Sequence, residues 1–158
     1  MTSTETTADF ARSSSRISLR VVSVALIALG IIVSGYLSYA ELTETAVQCV
    51  ESSTFNCDVV QSSIYSKLAG VPVAYLGLAT YLFLGAVILL ENRIEFLRNN
   101  GILIVFGITL FAFLYSMWLV YVQAALLQAF CPWCLTHEAA MTVLFGVSSI
   151  RLWHSLRE

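Results

Sequence analysis

Charge is what this chain has least of. Only 11% of its 158 residues are Asp, Glu, Lys or Arg, against roughly 25% in soluble domains. Apolar residues make up 58%, and the mean hydropathy is +0.82. No basic cluster marks a nucleic-acid surface, and the net charge of −2 says little about partners, because where the charges fall matters more than their sum. Charges are also missing from the middles of the long apolar stretches, which counts against a transporter needing polar groups deep in a membrane. No internal repeat is present. Cysteine is scarce too, with only four residues, but they fall in two pairs.

What is abundant is apolar sequence in long runs. Four stretches, about Val21–Tyr39, Pro72–Leu90, Ile102–Ala129 and Leu135–Trp153, meet the need for about 20 mainly apolar residues to span a bilayer core of roughly 30 Å. In lipid an open sheet would leave backbone groups unpaired, so each stretch reads as a helix. Pro72 opens the second, where its missing N–H costs nothing, and Asn99, Asn100 and Gly101 separate the second from the third. Residues 1–20, rich in Ser and Thr, predict a disordered cytoplasmic tail. The expected fold class is therefore all-α: an integral membrane four-helix bundle over residues 21–153, with an outer loop at 41–71. In that loop Val60, Ile64 and Leu68 recur every four residues, with Gln61, Ser62, Ser63, Ser66 and Lys67 on other sides. This predicts a short amphipathic helix lying at the interface. Ser38 and Ala40 resemble a signal-peptide cleavage site, but the run before them exceeds the usual apolar core of about 7–15 residues, so the segment reads as a retained span.

Basic residues collect on the cytoplasmic side of short loops. Arg12, Arg16 and Arg20 precede the first stretch, Arg93 and Arg98 lie between the second and third, and Arg151 and Arg157 fall at the end of the fourth. Only Lys67 lies on the other side. The expectation is a multi-pass protein of the bacterial cytoplasmic (inner) membrane with both termini cytoplasmic. All four cysteines then face the periplasm or cell exterior, where disulfides persist.

Cys131 and Cys134 form a C-P-W-C turn, whose two-residue spacing brings the sulfurs to bonding distance and leaves one free to attack a partner disulfide. If Pro132 starts the fourth helix, Cys131 sits near its N-cap and the helix dipole favours its thiolate. Apolar surroundings oppose this, and the sequence does not decide between them. Cys49 and Cys57 enclose Val50, Glu51, Ser52, Ser53, Thr54, Phe55 and Asn56, a mostly polar loop suited to a shuttle that swings between partners and equally suited to a static staple. A zinc site would more typically show two short C-x₂₋₄-C hooks. Two pairs on one face therefore point to electron relay through thiols and disulfides, and no metal is expected.

The run Cys57, Asp58, Val59, Val60, Gln61, Ser62, Ser63, then Tyr65, Lys67, Gly70, Pro72 and Gly77, followed by the late C-x-x-C, resembles the vitamin K epoxide reductase family in its bacterial branch. The resemblance covers about Leu19 to Leu152. A second quinone-linked thiol oxidase family, the DsbB type, also has four helices and two cysteine pairs, but places its C-x-x-C in the first outer loop; here the order is reversed. The resemblance implies a quinone-dependent thiol oxidase that generates disulfides. Cys49 would exchange with a thioredoxin-like (DsbA-type) protein outside the cytoplasm, Cys57 with Cys131, and Cys134 would deliver electrons to the quinone. Ser63 would be a hydrogen-bond donor near that quinone. Many bacterial relatives carry a fused thioredoxin-like domain; here a separate partner is expected. Animal members that reduce the vitamin have Tyr four residues after the second C-x-x-C cysteine, where this chain has Glu138, which points to an ordinary respiratory quinone, menaquinone or ubiquinone.

Oxidising a dithiol releases two electrons and two protons, and an apolar cavity between helices suits an acceptor of both. In the third stretch Phe111, Tyr115, Trp118 and Val122 recur at helical spacing as a candidate wall for it. His137 and Glu138, one turn beyond Cys134, are ionisable groups at the membrane edge, and one of them is expected to move a proton. The rival reading is a membrane assembly subunit whose disulfides are structural and never turn over.

Overall fold

The computed structural model describes residues 3–49, 52 and 54–157, with side chains from Ser18 onward. The elements are helix α1 (Ser3–Leu42), short helix α2 (Cys57–Gln61), a 3₁₀ turn (Ile64–Ser66), a two-residue hairpin of β1 (Lys67–Leu68) and β2 (Val71–Pro72), and helices α3 (Val73–Leu90), α4 (Glu95–Tyr121) and α5 (Pro132–Leu156). A π-helical segment, Val122–Leu127, extends α4. The protein is all-α apart from that hairpin, whose turn residues Ala69 and Gly70 both have positive φ, the geometry of a tight hairpin connection.

Three helices are long and apolar enough to cross a bilayer, over Ser18–Leu42, Val73–Leu90 and Glu95–Leu127, and the chain is a multi-pass membrane protein. Helix α5, at 25 residues, is equally long but carries His137, Glu138 and Arg151; it packs against α1 and α4. Helix α1 begins at Ser3, inside the segment for which the sequence predicts a disordered tail. No Pro or Gly interrupts residues 3–29, so nothing in the chain stops the first spanning helix from continuing backward.

Small residues hold the bundle together. On α1 the inward stripe is Ser23, Ile27, Gly30 and Ser34, at spacings of four, three and four. Gly30 abuts the ring of Tyr81 on α3. On α4 the buried positions include Val105, Thr109 and Ser116, and the Thr109 hydroxyl lies 2.8 Å from that of Ser148 on α5. Ile27, Tyr81, Leu84, Ile88, Met141 and Leu144 fill the centre. Bulky residues such as Phe83, Leu103 and Leu114 face outward. Lipid tails are as apolar as leucine, so helix association in a membrane rests on close packing and interhelical hydrogen bonds rather than on hiding large side chains.

At the end away from the cysteines, Glu91 ties three helices together. Arg151 of α5 donates to both carboxylate oxygens, at 3.3 and 3.2 Å, and Nε of Arg20 on α1 lies 3.7 Å from Oε1. Arg20 also donates to the Ile88 carbonyl at 2.9 Å. The start of the apolar span of α1, at Ser18, and the ends of α3 and α5 therefore meet at one face, which leaves the end of α1 and the starts of α3 and α5 at the other.

A Cβ on Gly30 would overlap the Tyr81 ring, whereas one on Gly35 meets nothing within 4 Å. Gly30→Ala is expected to cost about 1–3 kcal/mol through overpacking, and Gly35→Ala to gain roughly 0.5–1 kcal/mol from reduced backbone entropy. Thermal unfolding midpoints in detergent check the pair, and the reverse order would refute the packing described here.

Candidate functional site

Three tethers gather the cysteines at the face opposite Glu91. Phe55 and Phe130 form a parallel backbone bridge, with the Asn56 N–H donating to the Phe130 carbonyl and the Phe130 N–H to the Thr54 carbonyl, both at 3.0 Å. The Trp133 indole N–H donates to the Gln48 carbonyl at 2.8 Å. The Gln48 N–H in turn donates to the Tyr36 hydroxyl at 3.1 Å, and the Tyr36 and Trp133 rings lie 4.9 Å apart. The residue before Cys49 is thus fastened to α1 and to the middle of the C-P-W-C turn, while the segment before Cys57 is fastened to the residue before Cys131.

The result is a row of sulfurs. Cys49 and Cys57 are joined as a disulfide, and Cys57 Sγ lies 3.4 Å from Cys131 Sγ. Cys57 and Cys131 are 2% and 0% exposed, and Cys131 and Cys134 are free thiols. Asn56 caps α2, its side chain accepting from the Val59 N–H at 3.1 Å, which places Cys57 in the first helical turn. Pro132 starts α5 and Cys131 is its N-cap, the sulfur accepting from the Cys134 N–H at 3.3 Å.

The opposing influences on Cys131 resolve in one direction. A hydrogen bond from the Cys134 side chain outweighs burial and, with backbone N–H groups of the first turn of α5, lowers its pKa to about 7. The Cys49, Cys57 and Cys131 sulfurs lie within 4.8 Å of one another. That spacing would also suit three ligands of one metal ion, but ligation requires thiolates and two of these sulfurs are joined as a disulfide.

Two cavities flank the row. A small, mostly apolar one of about 90 Å³ touches Cys134 and is walled by residues including Leu37, Val60, Val73, Leu119 and Val122, with Ser63, Gln123, His137 and Glu138 as polar groups. A broader polar groove touches Cys57 and is bordered by Glu41, Glu44, Asp58 and Lys67; Lys67 pairs with Glu41 at 3.5 Å. Cys131 lines neither.

Of the residues singled out from sequence, Ser63, Val122, His137 and Glu138 line the apolar cavity with Cys134. The Ser63 hydroxyl already donates to the Val60 carbonyl at 2.8 Å, a bond that must break before it can donate to a ligand. Phe111, Tyr115 and Trp118 are not brought to the cavity: Phe111 is 75% and Trp118 49% exposed, on the outward face of α4. Its inward face belongs to the small residues, and the wall it supplies comes from Leu119 and from Val122, Gln123 and Leu127 in the π-helical segment. The expected amphipathic helix over residues 60–68 is also broken. Ser62 and Ser63 turn their hydroxyls back onto the Asp58 and Val60 carbonyls, ending α2 at Gln61 as serines competing for backbone partners do.

Gln123 was missed. It is buried and its side-chain oxygen accepts from the Cys131 N–H at 3.0 Å, while its carbonyl accepts from the Ala129 N–H at 3.2 Å. The extra residue of the π-helical segment turns it toward α5, a use such bulges often serve. The available signal was an amide within an apolar run, a group that in a membrane must find a partner. His137 is wedged by packing: Nε2 would lie 2.7 Å from a Cβ at Gly77, its ring meets Tyr81 edge-on at 5.2 Å, and its carbonyl accepts from the Tyr81 hydroxyl at 3.1 Å. A family model described as the vitamin K epoxide reductase family matches residues 21–149 of the chain.

The Cys131 thiolate should form with a midpoint near pH 7, seen as ultraviolet thiolate absorbance in protein reduced at Cys131 and Cys134. In Cys134→Ala the principal hydrogen bond to that sulfur is gone, so the midpoint should rise toward that of an ordinary thiol, about 8.5. An unmoved midpoint would show that Cys134 does not set it.

Proposed function

The chain belongs to the vitamin K epoxide reductase family, which makes it an oxidoreductase, and we propose that it is a quinone-dependent thiol oxidase that generates disulfides in a thioredoxin-like partner. The observation that carries the proposal is the buried 3.4 Å contact between Cys57 and Cys131, which joins a pair reached from a polar groove to a pair reached from an apolar cavity.

In the proposed cycle the Cys57 thiolate attacks Cys131 of a Cys131–Cys134 disulfide. The Cys57–Cys131 bond forms and the electron pair leaves on Cys134. The Cys49 thiolate then attacks Cys57, giving the Cys49–Cys57 disulfide and freeing Cys131, which is the state of the sulfurs in this structure. A dithiol of the partner next reduces Cys49–Cys57 and leaves as a disulfide. A depressed pKa makes Cys131 a good leaving group in the second step.

A quinone supplies an acceptor for the two electrons and two protons released when the Cys131–Cys134 disulfide is remade. The residues around Cys134 have the chemistry of such a site, apolar walls with a few convergent polar groups, and the cavity of about 90 Å³ would have to widen to admit the headgroup. Leu37, Val73 and Val122 would exclude water, and Gln123 holds Cys131 by its backbone while Cys134 faces the cavity.

Four membrane crossings follow if α5 spans beside α1 and α4. The grouping of Arg20, Glu91 and Arg151 at the face away from the sulfurs supports an orientation with that face cytoplasmic and the cysteines outside, in a bacterial inner membrane.

The deciding experiment is reoxidation of the reduced, detergent-solubilised protein by added quinone. Failure to consume quinone would leave only the reading of a membrane subunit with structural disulfides. Within the relay, Cys57→Ser and Cys131→Ser should each abolish quinone-dependent oxidation of the partner. Cys49→Ser, which removes the thiolate that resolves it, should accumulate a Cys57–Cys131 mixed disulfide, detectable by mass spectrometry. Normal turnover in either of the first two variants would break the proposed order.

A further inference from the structure

The apolar cavity contains one polar group that the fold does not account for. Glu138 is 3% exposed, and its Oε2 has no hydrogen-bond partner among the described residues. It lies four residues after Cys134, on the same face of α5, and both line the cavity. A buried carboxyl with an unmade bond costs stability. Other buried polar groups of the bundle are paired, as Thr109 is with Ser148 and Gln123 with Cys131. Besides Glu138 only the Ser38 hydroxyl lacks a partner among the described residues, and it does not line the cavity, so Glu138 is kept at a cost that packing does not explain. Its neighbour His137 is fixed against Gly77 and Tyr81.

Resting on the function proposed above, we propose that Glu138 is the proton carrier for Cys134. When Cys57 attacks Cys131, the Cys131–Cys134 bond breaks and its electron pair goes to the Cys134 sulfur in a cavity with little water. Glu138 in its acid form gives that sulfur a proton and becomes the carboxylate. When the disulfide is remade, the Cys134 thiol proton returns to Glu138 as two electrons pass to the quinone. That proton restores the acid form of Glu138, and the two protons the quinone takes are those given up by Cys57 and Cys49 when they became the attacking thiolates. The overall change is two thiols and one quinone going to one disulfide and one quinol. The other titratable groups facing this space are Glu41 from α1, Tyr65 from the loop between α1 and α3, His137 beside it on α5 and Cys134, with Tyr81 of α3 behind His137; the α4 wall contributes none.

Two readouts test this, one of them free of quinone. In redox-difference infrared spectra of the detergent-solubilised, quinone-free protein, reducing the Cys131–Cys134 disulfide should change a carboxyl band that is missing from Glu138→Gln. A wild-type protein with no redox-linked carboxyl signal, or a signal that survives in the variant, overturns the assignment. In turnover with quinone, Glu138→Gln should be slower by about 10²-fold or more and lose one inflection from its pH–rate profile. Glu138→Asp should restore both in part, and His137→Ala should keep the inflection. Unchanged turnover and pH dependence in Glu138→Gln also overturns it. If wild type consumes no quinone, the thiol-oxidase reading fails, while the infrared measurement still decides the role of Glu138.

Discussion

The contact between Cys57 and Cys131 is the constraint that the outer half of the molecule is built around. Sulfur exchange requires one sulfur to reach another nearly in line, and these two residues lie 74 positions apart in sequence. A free loop from α1 to α3 would seldom hold Cys57 in place, because each of its residues gains conformational entropy when released. The Phe55–Phe130 bridge, the Trp133 bond to the Gln48 carbonyl and the Asn56 cap remove that freedom at separate points. Trp133 contributes most economically, since as the second intervening residue of C-P-W-C it positions the loop pair from inside the other pair's own turn.

The membrane sets the second constraint and explains how the bundle is assembled. With no hydrophobic gain from helix association in lipid, close approach and paired polar groups remain. The interior carries Gly30 under Tyr81, a Thr109–Ser148 hydrogen bond and a carboxylate shared by two guanidiniums. The π-helical segment belongs to the same economy. By lengthening one turn it moves Gln123 to where its amide can accept from the N–H of Cys131, a backbone donor next to the reactive sulfur. Ser38 and Glu138 are the buried side chains left without partners among the described residues, and only Glu138 also lines the cavity that holds Cys134.

Much of this was legible beforehand because it is written in residue types with few uses. Cysteines at spacings of eight and three, proline after the first C-x-x-C cysteine and long uncharged runs each admit few structures, and together they placed the sulfurs on one face. Of Phe111, Tyr115, Trp118 and Val122, only Val122 lines the cavity, because helical spacing identifies a face without saying which way it points. In water the aromatic face would turn inward, whereas in lipid the stripe of Val105, Thr109 and Ser116 does. The loop pattern of Val60, Ile64 and Leu68 misled because apolar periodicity ignores the hydroxyls of Ser62 and Ser63, which close the helix early. Gln123 was hidden because a local π-helical turn leaves no trace in a 3.6-residue period.

Burial also imposes an order on any electron transfer through this site. The polar groove touches Cys57 and not the C-x-x-C pair; the apolar cavity touches Cys134 and not the loop pair; Cys131 opens to neither. Among the described residues Cys131 is thus closed to both spaces, with Cys57 3.4 Å away on one side and Cys134 on the other. Were Cys131 exposed, an outside thiol could reduce it directly and the loop pair would be redundant. Its exclusion turns four similar sulfurs into unlike positions, and in the proposed relay the low-pKa sulfur would exchange with Cys57 on one side and Cys134 on the other.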